Sequence, residues 1–345
     1  MYNAGAEQGS ESRIDSLDIS LITSLYRADA HLETYGQQVL AVAAQVHEAG
    51  LSLEVVIVAN ETTEGERRLI EALAVQAEAA GTVRILPLHI PRETLYASWN
   101  RGVQASSGAV IGFWNVDDGR TSEALIEGQR LIAEGCELVD FPIDHRLRRH
   151  WFGLFSTWQR TRFPAMYDPE VLGWRKRLGP FFLFSRDLYE RAGSFDDDFH
   201  ISGDFEWGER EITRSARFCA GSPVGGTFIV HGDNLSGGHS HLQTVEDNIV
   251  FLRHGAWEMI RPAEPELMRS VWEQWGHQGI TLPEAVEHQL LGAEAIPNWE
   301  QWLQRQRQHT RSETLRALPR FVIDQAGLRP LLARLGVVKR AHVRR

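Results

Sequence analysis

Short apolar runs and amphipathic stretches alternate along the first 142 residues. DISLITSL (18–25), LEVVIVA (53–59), 83–88, 109–114 and 137–141 read as strands. LEVVIVA is unbroken and β-branched, as expected of a strand covered on both faces. Between these runs, 31–48, 64–80, 95–106 and 122–134 carry helical periodicity, and the second of them closes on Gly81. Strand and helix alternating at this spacing predict an α/β fold with a mostly parallel, Rossmann-like sheet flanked by helices. Such sheets bind ligands outside the carboxyl ends of their strands.

The pattern then changes. Residues 143–178 are rich in Arg, Trp and Phe without a clean period, which predicts a long irregular segment. GPFFLFS (179–185) reads as a strand and is followed by a short helix to Ala192. Gly193 to Arg210 is dense in acids, and GGTFIVH (225–231) reads as another strand. From His241 onward the pattern is helical, with Trp257, Trp272, Trp275, Trp299 and Trp302 as expected packing anchors.

Composition narrows the class. The chain has 345 residues, 43% hydrophobic and 24% charged, as in an ordinary globular protein. A net charge of -10 argues against reading nucleic acid over a broad basic face, yet leaves room for local basic patches. Cys136 and Cys219 lie far apart, so two unpaired thiols in a reducing, cytoplasmic compartment are expected. No apolar run approaches the roughly 18 residues that span a bilayer. MYNAGAEQGSESRIDS lacks a basic start and an apolar core, so a disordered lead is expected there rather than a signal peptide. Residues 312–345 carry eight Arg and Lys against two acids, a net of +6, interleaved with apolar positions. Such a tail packs on its own domain with the basic side in solvent, or makes peripheral contact with the inner face of an anionic membrane.

Four constellations carry candidate chemistry. IGFWNVDDG (111–119) ends an apolar run in Asn115, Asp117 and Asp118. Paired acids at a strand tip suit Mg²⁺ or Mn²⁺, which take few protein oxygens and fill the rest from water and phosphate. The same residues also make an ordinary turn. GDFEWGER (203–210) places Asp204 at a helix start, as an N-cap or as a general base. HGDNLSGGHSH (231–241) puts His231 at a strand end, as a metal or phosphate contact or as part of a plain glycine-rich loop. Arg146, Arg148, Arg149, His150, Trp151, Trp158, Arg160 and Arg162 could clamp a phosphate, stack on a sugar, or form a solvated loop.

The order of these pieces resembles the family-2 glycosyltransferases of the GT-A fold. DISLITSLYRADAHLETYGQQV is similar to that family's first strand and helix. LEVVIVANETTEG sits at its second strand and nucleotide-contacting turn. Asn100, Gly102, Ala105, Gly108, Asp117 and Asp118 fit its N-x-G-x-x-x-A-x-G run and D-x-D-D tip. GPFFLFSRDLYERAGSFDDDFHISGDFEWGER looks like its acceptor segment, and HGDNLS like its loop after the last strand. The resemblance covers roughly 18–240 and departs at Asn60 and Asn115, where the family has aspartates. It implies a disordered lead (1–17), a glycosyltransferase domain (18–240) with a nucleotide-binding half (18–118) and an acceptor half (119–240), and a helical extension (241–345). It further implies transfer from a nucleoside-diphosphate sugar to a glycan, lipid-linked or small-molecule hydroxyl, with inversion. Asp204 would be the base, and Asp117 and His231 the contacts to Mn²⁺ or Mg²⁺. Thr23, Ser24, Tyr26, Asn60, Asn100, Asn115 and Asp117 would face the donor. Asp118, Gly203, Trp207 and Arg210 would support the acceptor side. The rival reading is a non-catalytic nucleotide-sugar or glycan-binding module. A nucleotidyltransferase would need a Gly-rich, Lys- or Arg-bearing loop after the first strand, which is missing.

Overall fold

The computed structural model describes residues 17–151, 155–165, 167, 178–230, 240–256, 259–261 and 263–281. The expected lead, His231, Trp257, Trp299, Trp302 and the basic tail at 312–345 lie outside these residues.

The strands are β1 (Ile19–Leu25), β2 (Leu53–Asn60), β3 (Arg84–Ile90), β4 (Val110–Phe113), β5 (Gly119–Arg120), β6 (Leu138–Asp140), β7 (Ile143–Trp151), β8 (Phe155–Phe163), β9 (Leu183–Ser185), β10 (Phe218–Ala220) and β11 (Gly226–Val230). The helices are α1 (Asp29–Glu48), α2 (Glu64–Ala80), α3 (Leu95–Ala105), α4 (Ser122–Ala133), α5 (Arg186–Ala192), α6 (Gly203–Glu209), α7 (Glu211–Ser215), α8 (Ser240–Arg253) and α9 (Pro265–Val271), the last running into a π-helical turn at Trp272–Gly276.

Seven strands form the central sheet in the order β10-β6-β9-β4-β1-β2-β3. It is parallel except for β9, which runs antiparallel between β4 and β6. The β-branched run of β2 divides its side chains between two cores, as a strand covered on both faces must. Val56 and Val58 face α3, α6 and α8, whereas Val55, Ile57 and Ala59 face α1 and α2. Gly102 on α3 allows close approach to β1, because a Cβ there would lie 2.2 Å from Ile22 Cγ2.

The irregular segment expected at 143–178 is replaced over its first part by a hairpin. β7 and β8 pair antiparallel, and with β5 and β11 they build a second sheet, β5-β11-β7-β8. A period of two was present in IDHRLRRHW, but His145 and Arg149 interrupt the apolar set of Ile143, Leu147 and Trp151, so no continuous apolar stripe revealed it.

The expected unpaired thiols are also corrected: Cys136 and Cys219 form a disulfide, with Cα atoms 6.1 Å apart. β10 pairs in parallel with β6, which brings the two cysteines together across 83 residues of sequence. The ground for inferring a reducing compartment is thereby removed. Closing a loop of that length stabilises the fold by about 4.5 kcal/mol in the chain-entropy model. Reduction with dithiothreitol should therefore lower the melting temperature by several degrees. An unchanged melt, with two thiols titrating in the untreated native protein, would refute the bond. Among the described residues, no helix is long and apolar enough to cross a membrane.

Candidate functional site

β4 carries the chain to the carboxyl edge of the central sheet, where Trp114 to Asp118 turn into β5. The turn is tightly held. Trp114 is buried, and its indole N–H donates to the Asp118 carbonyl at 2.9 Å. The Asp118 N–H donates to the Asn115 carbonyl at 3.1 Å. The Asp118 carboxylate accepts from the Ile229 N–H at 3.0 Å and from the Asn115 amide at 3.0 Å. Asp118 therefore pins the tip of the first sheet to β11 of the second. Burial, and then the neighbouring charge of Asp117, push its carboxyl up to about 7. Arg120 lies beneath, donating to the carbonyls of Phe113 and Phe181, with burial pulling its guanidinium down to about 9. Asp117, in contrast, is half-exposed at the tip.

The paired acids thus have different surroundings. Asp118 is an internal anchor, whereas Asp117 is only half-buried at the same tip. Asn115 is tied to Asp118.

Asp204 is built from the other side of the same edge. The N-cap of α6 is Ser202, so Asp204 sits in the first turn and is not the cap. Its Oδ1 accepts from the Phe205 N–H at 2.8 Å and from the Tyr96 hydroxyl at 3.1 Å. The Tyr96 oxygen also lies 2.7 Å from the Ile201 carbonyl. Tyr96 stands in the first turn of α3, which starts beside the carboxyl ends of β2 and β3, since Glu93 N–H donates to Asn60 Oδ1 there. Gly203 is required by this packing, because a Cβ would meet the Tyr96 ring at 2.7 Å.

The segment leading into α6 has a further support that sequence reasoning missed. Glu246 on α8 is fully buried, and its two oxygens accept the backbone N–H groups of His200, Ile201 and Ser202 at 2.8–2.9 Å. The Ser202 hydroxyl donates to Asp247 at 2.8 Å. Arg253, also on α8, forms a 2.6 Å ion pair with Asp196 and lies over the rings of Phe199 and Trp275. The only sequence signal was two adjacent acids, Glu246 and Asp247, between the apolar residues Val245 and Ile249 of an amphipathic helical pattern.

The remaining expected site residues are placed as follows. Thr23 is buried, its hydroxyl engaged with Tyr35 at 2.5 Å and the Trp114 carbonyl at 2.8 Å. Ser24 accepts from the Asn60 amide at 3.5 Å. Asn60 also donates to Ser98 at 3.0 Å. Tyr26 is half-buried under the guanidinium of Arg92, 4.3 Å from its ring centroid. Asn100 clamps the segment leading into α6: its amide donates to the Phe195 carbonyl, and its oxygen accepts from Phe195 N–H and the Tyr189 hydroxyl. Trp207 is fully buried among Phe182, Phe184 and Phe195, with its indole N–H on the Gly193 carbonyl. Arg210 pairs with Glu206 at 2.7 Å and donates to the Ala192 and Ser194 carbonyls. Thr23, Asn60, Asn100, Trp207 and Arg210 thus shape the site from within.

Among the described residues, no three His, Cys, Asp or Glu side chains cluster around a metal position. A cation that draws most of its ligands from phosphate and water needs only one or two carboxylates. The half-exposed Asp117, backed by the anchored Asp118, meets that requirement.

No known family model matches the chain, and no curated protein sequence matches it either. Solved structures are similar in fold. S. aureus TarS 1-349 in complex with UDP-GlcNAc matches with a TM-score of 0.51 and 14% identity, over 83% of this chain and 78% of that one. Longer S. aureus TarS also matches with a TM-score of 0.51 and 14% identity, over 79% of this chain and 50% of that one. A mannosyltransferase from Pyrobaculum calidifontis, solved with GDP-Man and Mn²⁺, matches with a TM-score of 0.48 and 12% identity, over 87% of this chain and 81% of that one. The chain has a mixed α/β fold of the kind seen in TarS.

Proposed function

We propose that the chain transfers a sugar from a nucleoside-diphosphate donor to an acceptor hydroxyl. The observation that carries this reading is the pair of carboxylates at one edge of the central sheet. Asp117 is presented at the tip of β4, and Asp204 is braced by Tyr96 at the start of α6. That edge is where sheets of this architecture bind ligands. The fold shared with TarS, which was solved with UDP-GlcNAc, supports a nucleotide-sugar donor.

In this reading the acceptor oxygen attacks the anomeric carbon as the bond to the diphosphate breaks. The diphosphate leaves with the bonding electrons, and the hydroxyl proton passes to the Asp204 carboxylate. One displacement of this kind inverts the anomeric configuration. The Phe205 N–H and the Tyr96 hydroxyl hold Asp204 Oδ1 in place, so its rotamer is set before the acceptor arrives. Asp117 would hold a divalent cation, which when bound supplies positive charge against the leaving diphosphate. Ser24 and Tyr26 line the donor side at the end of β1. The catalytic region runs from 18 to 240, and α8 supports it from the extension that follows.

The rival reading, a binding module without catalysis, draws on Asn60 and Asn115, whose amides are committed to internal bonds. One experiment separates the two. Incubation with a panel of nucleotide sugars and Mn²⁺ should release free nucleoside diphosphate from at least one donor. Saturable binding without any release would favour the module, and neither binding nor release would reject both.

A further inference from the structure

The second sheet carries a basic face that the proposed chemistry does not use. In the β7–β8 hairpin, Asp144 pairs with Arg162, and Arg146 with Arg160. Residues two apart on a strand share a face, and directly paired residues do too. Arg146, Arg160, Arg162 and Trp158 therefore stand on one side of the hairpin with Asp144. The opposite side carries His145 between Phe163, which it meets edge to face, and Phe228.

Asp144 is buried, and it orients this row. Its Oδ1 accepts from Arg160 Nε at 2.6 Å, and its Oδ2 lies 3.3 Å from Arg146 Nη2. The Thr227 hydroxyl approaches the same carboxylate at 3.5 Å. Three arginines against one acid leave an excess of two positive charges, on a chain whose net charge is -10. Trp158 is 56% exposed on this face. An indole held in water beside guanidinium groups offers a flat surface for a sugar ring next to anion-binding forks.

The register connects this face to the site. Ile229 of β11, whose N–H is held by Asp118, is in register with Arg146 of β7, which is paired with Arg160 of β8. Two strand spacings, about 10 Å, separate β11 from β8. Gly119, next in sequence to the acidic tip, pairs with Thr227, in the row of Asp144 and Arg162. One continuous sheet thus runs from the carboxylate tip to the arginine row.

We infer that this face binds a phosphate group carried by the acceptor, so that the acceptor is an anionic, phosphate-bearing glycan. The inference rests on the transferase reading for the word acceptor, though not for the anion site itself. The arginine row, oriented by Asp144, would grip the phosphate, and Trp158 would stack on the adjoining sugar ring.

The test uses the full chain and fluorescein-labelled inorganic polyphosphate as the probe, with neutral dextran as reference. The wild-type protein should bind polyphosphate in a salt-dependent manner and dextran at least about tenfold more weakly. Arg146→Gln combined with Arg160→Gln should weaken polyphosphate binding at least about tenfold. Binding of the hydrolysis-panel nucleotide sugars should change less than twofold. Because that pair also holds the buried Asp144, Arg162→Gln with Trp158→Ala is a second variant that leaves Asp144 paired, and it should show the same selective loss.

Equal affinity for polyphosphate and dextran would overturn the proposal, as would unaltered polyphosphate binding in both variants. Parallel loss of nucleotide-sugar binding would assign the arginines to the donor and overturn it too. Tighter, arginine-dependent binding to phosphatidylglycerol vesicles than to polyphosphate would make the face a membrane surface and overturn it as well. If the wild-type protein binds polyphosphate through these arginines but binds no nucleotide sugar, the anion site stands and the transferase reading falls.

Discussion

Asp204→Asn should lower transfer by roughly 10²- to 10⁴-fold, the usual contribution of a positioned general base, with nucleotide-sugar affinity almost unchanged. The substitution is nearly isosteric. An asparagine oxygen at the Oδ1 position still accepts from the Phe205 N–H and the Tyr96 hydroxyl, so the start of α6 keeps its geometry. What disappears is the capacity to take a proton. The measurement is single-turnover transfer alongside donor titration by calorimetry. Turnover within threefold of wild type would remove Asp204 from the chemistry. Equal loss of donor affinity and turnover would make it a structural residue of the donor site.

Asp117→Ala should abolish the dependence of donor affinity on Mn²⁺ and lower turnover by roughly 10³-fold. That is the kinetic equivalent of the several kcal/mol a cation contributes at a leaving phosphate. Asp117 is half-buried, and the bonds that hold the turn run through Asp118, so the fold should tolerate its removal. Asp118→Asn is the informative contrast. An asparagine oxygen keeps the bond from Ile229 N–H that ties β4 to β11, and turnover should fall far less than in Asp117→Ala. Donor affinity that responds to Mn²⁺ equally in wild type and Asp117→Ala would refute the metal assignment.

The central sheet was legible because LEVVIVA and its neighbouring runs must be buried on both faces, and few other environments accept such a run. The second sheet was not. Asp144, Arg146, Arg160 and Arg162 carry the polar set of its hairpin, and His145, Arg149, Gln159 and Thr161 break up the apolar set opposite, so the alternation did not stand out. β10 was hidden for a different reason: FCA is three residues long, and it is recognised only by its partner β6, far earlier in the chain. The site divides in the same way. Asp117 and Asp204 stood out because carboxylates at element ends suit ligand binding. The internal roles of Thr23, Asn60, Asn100 and Trp207 depend on partners dozens of residues away, such as Phe195 for Asn100. Glu246 was illegible because its partners are backbone N–H groups, which no side-chain motif records.

The Glu246 contact bears on how such a protein could acquire a new acceptor. Grafting a foreign 195–204 segment onto this sheet would not by itself carry acceptor preference across. The incoming backbone must present three N–H groups in the arc that one buried carboxylate can receive, and any mismatch leaves donors unsatisfied in a dry interior. Arg253 adds a second condition through Asp196. On the proposed function the loop and α8 would thus have to change together for a new acceptor, and changes at Glu246 or Arg253 should be found only alongside changes in the loop they hold.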